Sequence, residues 1–192
     1  MTAVVDSDRI AGVYVVELSA FPDARGSFVE TYRREWFPSG LEMVQANRSD
    51  RRQGSLVGLH YHLHQADYWY VPVGLARVVL HDLREGSPTD GATLALDLGP
   101  DPAGVAGDTV HRGVLVPPGV AHGFAALTDV TMTYLVDRYY NPADELGVAW
   151  DDPDVGADWG LTEPPVLSER DRANPRRADL PPDRRPHARL RP

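Results

Sequence analysis

Two short segments hold the side chains that can do chemistry. The first carries His60, His62, His64 and Asp67 between Gly54 and Gly74; the second carries His122 a few residues after Pro117. Along a strand, residues two apart share a face, so His60, His62 and His64 are expected to point the same way. A Pro-Gly turn at Pro118 and Gly119 delivers His122 at the start of a further strand. Two or three neutral imidazoles and one carboxylate form a ligand set that zinc, iron, manganese or nickel accepts. On that reading His60, His62, Asp67 and His122 hold a divalent metal. The same side chains can instead line a polar pocket and move protons without an ion. The residues alone leave both readings open.

Positioning such groups requires short strands. Runs of β-forming residues occur at 13–18, 42–49, 56–60, 68–73, 76–83, 93–98, 113–116, 122–126 and 131–137, separated by Gly, Pro and Asp clusters. That spacing predicts an all-β sandwich or barrel, because no long amphipathic helix separates the runs. Residues 1–12 read as a polar lead and 21–30 as a turn-rich segment. Residues 29–37, closed by Pro38, are the one predicted helix, and a short one. From Pro175 the chain turns Arg- and Pro-rich, which predicts a domain over 1–174 and a disordered tail over 175–192.

The 192 residues are one domain's worth. There is no cysteine, so thiolate chemistry and disulfides are excluded. There is no lysine either, which excludes a Schiff base. A net charge of −9 disfavours nucleic acid as a partner. No run of apolar residues is long enough to predict a membrane span, and the N-terminus does not read as a secretory leader, so a cytoplasmic location is expected.

The Gly54–Gly74 spacing, with Pro117, Gly119 and His122 after it, resembles the cupin signature, with Asp67 where cupins usually carry glutamate. A closer resemblance runs from residue 21 to 171. Phe21-Pro-Asp23-Ala-Arg25-Gly26-Ser-Phe28-Val-Glu30, Gln45-Ala-Asn47-Arg-Ser49 and Gly58-Leu59-His60 come first. Ser87-Pro88-Thr89, Pro118-Gly119-Val-Ala121-His122-Gly123-Phe124, Tyr139-Tyr140-Asn-Pro142 and Leu167-Ser168-Glu-Arg170-Asp171 follow. In that order they are similar to the dTDP-4-dehydrorhamnose 3,5-epimerase family.

The resemblance implies a cupin jelly roll (a double-stranded β-helix) with a short helix and an extended tail, working as a homodimer. It implies epimerisation at C3 and/or C5 of a dTDP-linked 4-keto-6-deoxyhexose, with no cofactor. His60 would be the base, Asp171 its orienting carboxylate and Tyr134 the acid. Arg25, Phe28, Glu30, Gln45, Asn47, His122, Tyr140, Glu145 and Arg170 would hold substrate, some across the dimer interface.

Three positions depart from that pattern. Asp67 stands where the family carries a lysine, Val57 where an arginine usually precedes Gly-Leu-His, and His62 where glutamine is frequent. Two unit charges about 4 Å apart interact by roughly 4 kcal/mol at an effective dielectric of about 20. Exchanging a cation for an ionised carboxylate beside a developing enolate therefore opposes the reaction by several decades in rate. The alternatives are a metal-dependent cupin (isomerase, cyclase or oxygenase) acting on another small molecule, or a pocket that binds sugar nucleotides without catalysis. If His60 were a ligand it could not also be the base.

Overall fold

The computed structural model describes residues 2–37, 41–100 and 111–188. Thirteen strands are among them: β1 (Ala3–Asp6), β2 (Tyr14–Leu18), β3 (Ala20–Asp23), β4 (Gly26–Val29), β5 (Gln45–Arg51), β6 (Leu56–Tyr61), β7 (Asp67–Val73), β8 (Ala76–Asp82), β9 (Thr93–Leu98), β10 (His111–Val116), β11 (Val120–Ala126), β12 (Val130–Val136) and β13 (Leu146–Gly147). A six-stranded sheet runs β1-β2-β10-β7-β12-β5, a five-stranded sheet runs β13-β6-β11-β8-β9, and β3 and β4 form a separate hairpin. The strand pairs are antiparallel throughout.

Strand alternation decides which side chains meet between the sheets. Trp69, Val71, Val114, Val116, Val130 and Met132 come from one sheet. Val78, Leu80, Leu98, Val120, Phe124 and Ala126 come from the other, and all of them form a single buried cluster. Full burial of one such Val or Leu contributes about 1.5–3 kcal/mol. The opposite faces are covered too. Tyr68, Tyr70 and Leu115 pack under Tyr32, Trp36 and Phe37. Val79, Ala121 and Ala125 pack under Val148, Val155, Trp159 and Leu180. Both faces of the central strands are therefore covered, which is why β7, β8 and β11 are buried along most of their length.

Several expectations are corrected. Residues 29–37 are not a helix: Val29 ends β4, and only a 3-10 turn at Arg34–Trp36 follows. The Tyr68 hydroxyl donates to the Thr31 carbonyl at 2.8 Å, pinning this stretch while its aromatics cover the sheet. A helix this short gains too little on its own to compete. Pro38 lies outside the described residues. The polar lead contains β1, and the turn-rich segment is the β3–β4 hairpin. The one α-helix among the described residues, α1 (Glu169–Arg172), lies instead near the C-terminus.

The described part of the expected tail is docked. Leu180 is buried, Arg184 offers its carbonyl to the Tyr61 hydroxyl at 2.8 Å, and Glu85 bridges to His187. Leu180, backbone hydrogen bonds and the ion pairs of Arg177 with Asp90 and Arg185 with Glu85 hold the segment, and composition does not register such contacts.

Candidate active site

The site is built where β6 and β11 run side by side. His60 and His122 are register partners, so their side chains leave the sheet on the same side. The approach is close because Gly58 and Gly123 face each other. A Cβ on Gly58 would lie 2.8 Å from the Gly123 Cα and 2.8 Å from the His122 carbonyl oxygen, and Gly58 has φ +113°. Only glycine tolerates both conditions. The peptide between Gly58 and Leu59 is cis.

His60 Nε2 lies 2.6 Å from Asp171 Oδ1. One turn of helix holds that carboxylate. Ser168 caps α1 by accepting from the Asp171 amide, and its hydroxyl donates to Asp171 Oδ2 at 2.8 Å. Burial raises the Asp171 carboxyl; hydrogen bonds from His60, Ser168 and the Gly58 backbone outweigh it, and the net shift is downward. An ionised carboxylate only accepts, so His60 donates from Nε2 and keeps a lone pair on Nδ1. That is the arrangement of an oriented base.

The facing sheet contributes Tyr134. It pairs with Trp69 on one side and Asn47 on the other. Its ring centroid lies 6.5 Å from that of Trp69, and Trp69 meets the His122 ring edge-on at 5.1 Å. Burial, then Asp67 and Glu145, raise the Tyr134 hydroxyl, so it stays protonated at neutral pH. Gln45 and Asn47 lie beside it on β5, joined by a 2.9 Å hydrogen bond, and Gln45 also accepts from the Tyr140 amide. A neutral phenol on one wall and an oriented imidazole on the other can deliver and remove protons.

Beneath them lies a second group. His62, Asp67 and His122 are all buried, with ligand-type atoms within 4.8 Å of one another. His60 is not part of this cluster, which corrects the expected four-residue set; it faces Asp171 instead. His64 sits exposed in the following loop and is not part of the cluster either. His122, expected to hold substrate, is in this inner layer. Burial, offset only in part by Asp67, pushes its imidazole down to about 4.

The remaining expected residues divide. Glu145 reaches the site: Oε1 is 3.8 Å from His62 Nδ1, and Oε2 is 3.2 Å from Arg170 Nη1. Arg25, Phe28 and Glu30 sit on or next to the β3–β4 hairpin. Arg25 is bound to Asp23, Phe28 is 67% exposed, and Glu30 pairs with Arg33. Within one chain they do not join the His60 group.

Sequence reasoning missed three contributors. Ser168 fixes Asp171, and its Ser-x-x-Asp spacing was a legible capping signal. Trp69 donates to Asp67 and separates His122 from Tyr134. Asp144 accepts from the amides of Leu63 and His64, while its carbonyl accepts from His62; no sequence signal marks it.

Two antiparallel sheets, one carrying an imidazole paired with a carboxylate and the other a neutral phenol, define a cupin jelly roll. The dTDP-4-dehydrorhamnose 3,5-epimerase family model matches residues 7–179, and the chain belongs to that family. It is 37% identical over 168 residues to a dTDP-4-dehydrorhamnose 3,5-epimerase of Neisseria gonorrhoeae, covering 84% of this chain and 48% of that one. The chain thus spans about half of that relative's length. Among solved structures it is similar to the Legionella pneumophila RmlC epimerase in complex with dTDP-4-keto-L-rhamnose, with TM-score 0.87, 28% identity and coverage of 97% and 98% of the two chains. It is similar also to NovW, a 4-keto-6-deoxy sugar epimerase of Streptomyces spheroides, with TM-score 0.87, 30% identity and coverage of 98% and 94%. These relatives are epimerases by name; the expectation of a metal-dependent cyclase or oxygenase finds no support in them.

Proposed function

We propose that this protein epimerises C3, C5 or both in a dTDP-linked 4-keto-6-deoxyhexose. The observation that carries the reading is the 2.6 Å contact between His60 and Asp171, with Tyr134 on the opposite sheet. His60 Nδ1 takes the proton beside the C4 ketone. The C–H electron pair moves onto the C4 oxygen as an enolate, and Tyr134 returns a proton to the carbon from the other face. Asp171 stabilises the imidazolium formed between the two steps. Gln45, Asn47, Glu145, Tyr140 and Arg170 hold the nucleotide sugar. No cofactor is needed for the proton exchange itself.

We infer that the working unit is a homodimer in which the β3–β4 hairpin of one protomer presents Arg25, Phe28 and Glu30 to its partner. What supports this is the hairpin's separation from both sheets and the exposure of Phe21 and Phe28, at 60% and 67%.

The test is incubation with dTDP-4-keto-6-deoxyglucose in deuterated water. Deuterium at C3 or C5, lost in His60→Asn, is the expected result. A folded protein that exchanges neither proton ends the proposal.

A further inference from the structure

His62, Asp67 and His122 point three acceptor atoms at one another inside the protein. His62 Nδ1 lies 2.8 Å from the Asp144 carbonyl oxygen, and His122 Nδ1 lies 3.0 Å from the Val120 carbonyl oxygen. A carbonyl only accepts, so each imidazole carries its proton on Nδ1 and has a bare lone pair on Nε2. Those two lone pairs face the Asp67 carboxylate: His62 Nε2 is 3.8 Å from Oδ1, and His122 Nε2 is 3.9 Å from Oδ2. Both separations are too long for hydrogen bonds. The carboxylate is oriented from behind, Oδ1 accepting from Gln65 Nε2 at 2.8 Å and Oδ2 from Trp69 Nε1 at 3.2 Å. Every one of the three groups is at least nine-tenths buried.

Three convergent acceptors can hold a cation between them. A tetrahedral ion with bonds of about 2.1 Å has ligands about 3.4 Å apart. The 3.8 and 3.9 Å separations would have to close by roughly half an ångström, within the reach of side-chain rotation. Each histidine donates its other nitrogen to a backbone carbonyl, which is how metal-bound histidines are usually fixed. We infer that His62 Nε2, the Asp67 carboxylate and His122 Nε2 bind one divalent transition-metal ion, leaving at least one coordination position for water or substrate. Two nitrogens and an oxygen suit zinc, iron, manganese or cobalt better than calcium or magnesium.

The site and the base do not compete for the same side chain. His60 is held by Asp171, outside the three-residue cluster. The ion would put a positive charge on the wall of the pocket, where Asp67 alone puts a negative one. That consequence rests on the epimerase reading; the binding site rests only on the three side chains.

The test uses the full chain, stripped with a chelator and then titrated with Co²⁺ alone. The expected result is saturation at one ion per chain, with visible d–d absorption of a low-coordinate nitrogen–oxygen site. Asp67→Asn and His62→Gln should each weaken binding by at least about 100-fold, while His60→Asn should leave the spectrum in place. Thermal melts of each variant show that it is folded. Absence of d–d bands in the folded parent overturns the inference, and so does an unchanged spectrum in folded Asp67→Asn. Deuterium exchange on the same samples reports the epimerase reading separately. Bands without exchange in the cobalt-loaded parent remove that reading and keep the site; exchange without bands does the reverse.

Discussion

His60 and Asp171 are separated by 111 positions in the chain, yet Nε2 of one lies 2.6 Å from Oδ1 of the other. One comes from a central strand, the other from a single helical turn after the last strand. Ser168 holds the carboxylate from its far side.

Replacing Asp171 by Asn keeps the shape and removes the charge that, on the proposed mechanism, stabilises the imidazolium. Exchange and epimerisation should both fall by about 10²–10⁴-fold. Ser168→Ala should give a smaller loss in the same direction. An Asp171→Asn enzyme with parental rates would remove the carboxylate from the mechanism.

Tyr134→Phe separates the two proton transfers. The ring still packs beside Trp69, so thermal stability should change by less than about 1 kcal/mol. Deuterium should still wash in through His60, while the inverted product falls by about 10²-fold or more. Equal loss of both signals would place Tyr134 outside the second transfer.

Gly58→Ala tests the close approach of β6 and β11. Its new methyl would meet backbone atoms at 2.8 Å, where no flexible side chain can yield. A cost of about 2 kcal/mol or more is expected, lowering the Tm by roughly 4–8 °C for a chain of this size. A melt within a degree of the parent would show that the two strands can part cheaply.

Acid sensitivity should trace partly to His81. It is fully buried; Nδ1 donates to Thr93 Oγ1, whose own hydroxyl donates to the Val155 carbonyl, and Nε2 has no partner. Burial, then the Arg177 charge, push its pKa from 6.5 down to about 4. Between those values the unfolded chain binds the proton and the folded one does not. Stability is therefore complete above 6.5 and falls as the pH drops toward 4, by about 3 kcal/mol for this group. Denaturant melts of the parent and His81→Gln across that window should diverge, the parent losing more. Parallel curves would exclude His81 as the cause.

Leu180 anchors the C-terminal segment against Val79, Ala121 and Val155. Leu180→Ala should cost about 2 kcal/mol, the low end for a buried leucine because the segment can settle inward. Truncation after residue 174 should cost more, since it also removes the Arg184 carbonyl that Tyr61 uses. A truncated chain as stable as the parent would show that the segment contributes nothing.

The amino-acid pattern by itself determined the all-β character and the strands that carry the histidines; the candidate roles of His60, Tyr134 and Asp171 came from ordered short motifs that resemble a known family. Those features are local: alternation, turn residues and ordered short motifs survive in one dimension. Tertiary structure alone decided which imidazole takes which partner. His60, His62 and His122 look equivalent as ligands in the sequence. In the fold, Asp171 arrives from a distant turn to take His60, while the Asp144 and Val120 carbonyls fix the other two toward Asp67. The 3-10 turn in place of a helix at 34–36 and the docked C-terminal segment have the same origin. Each is set by contacts between residues far apart in the chain, and burial against a sheet outweighs the few tenths of a kcal/mol per residue that local preference supplies.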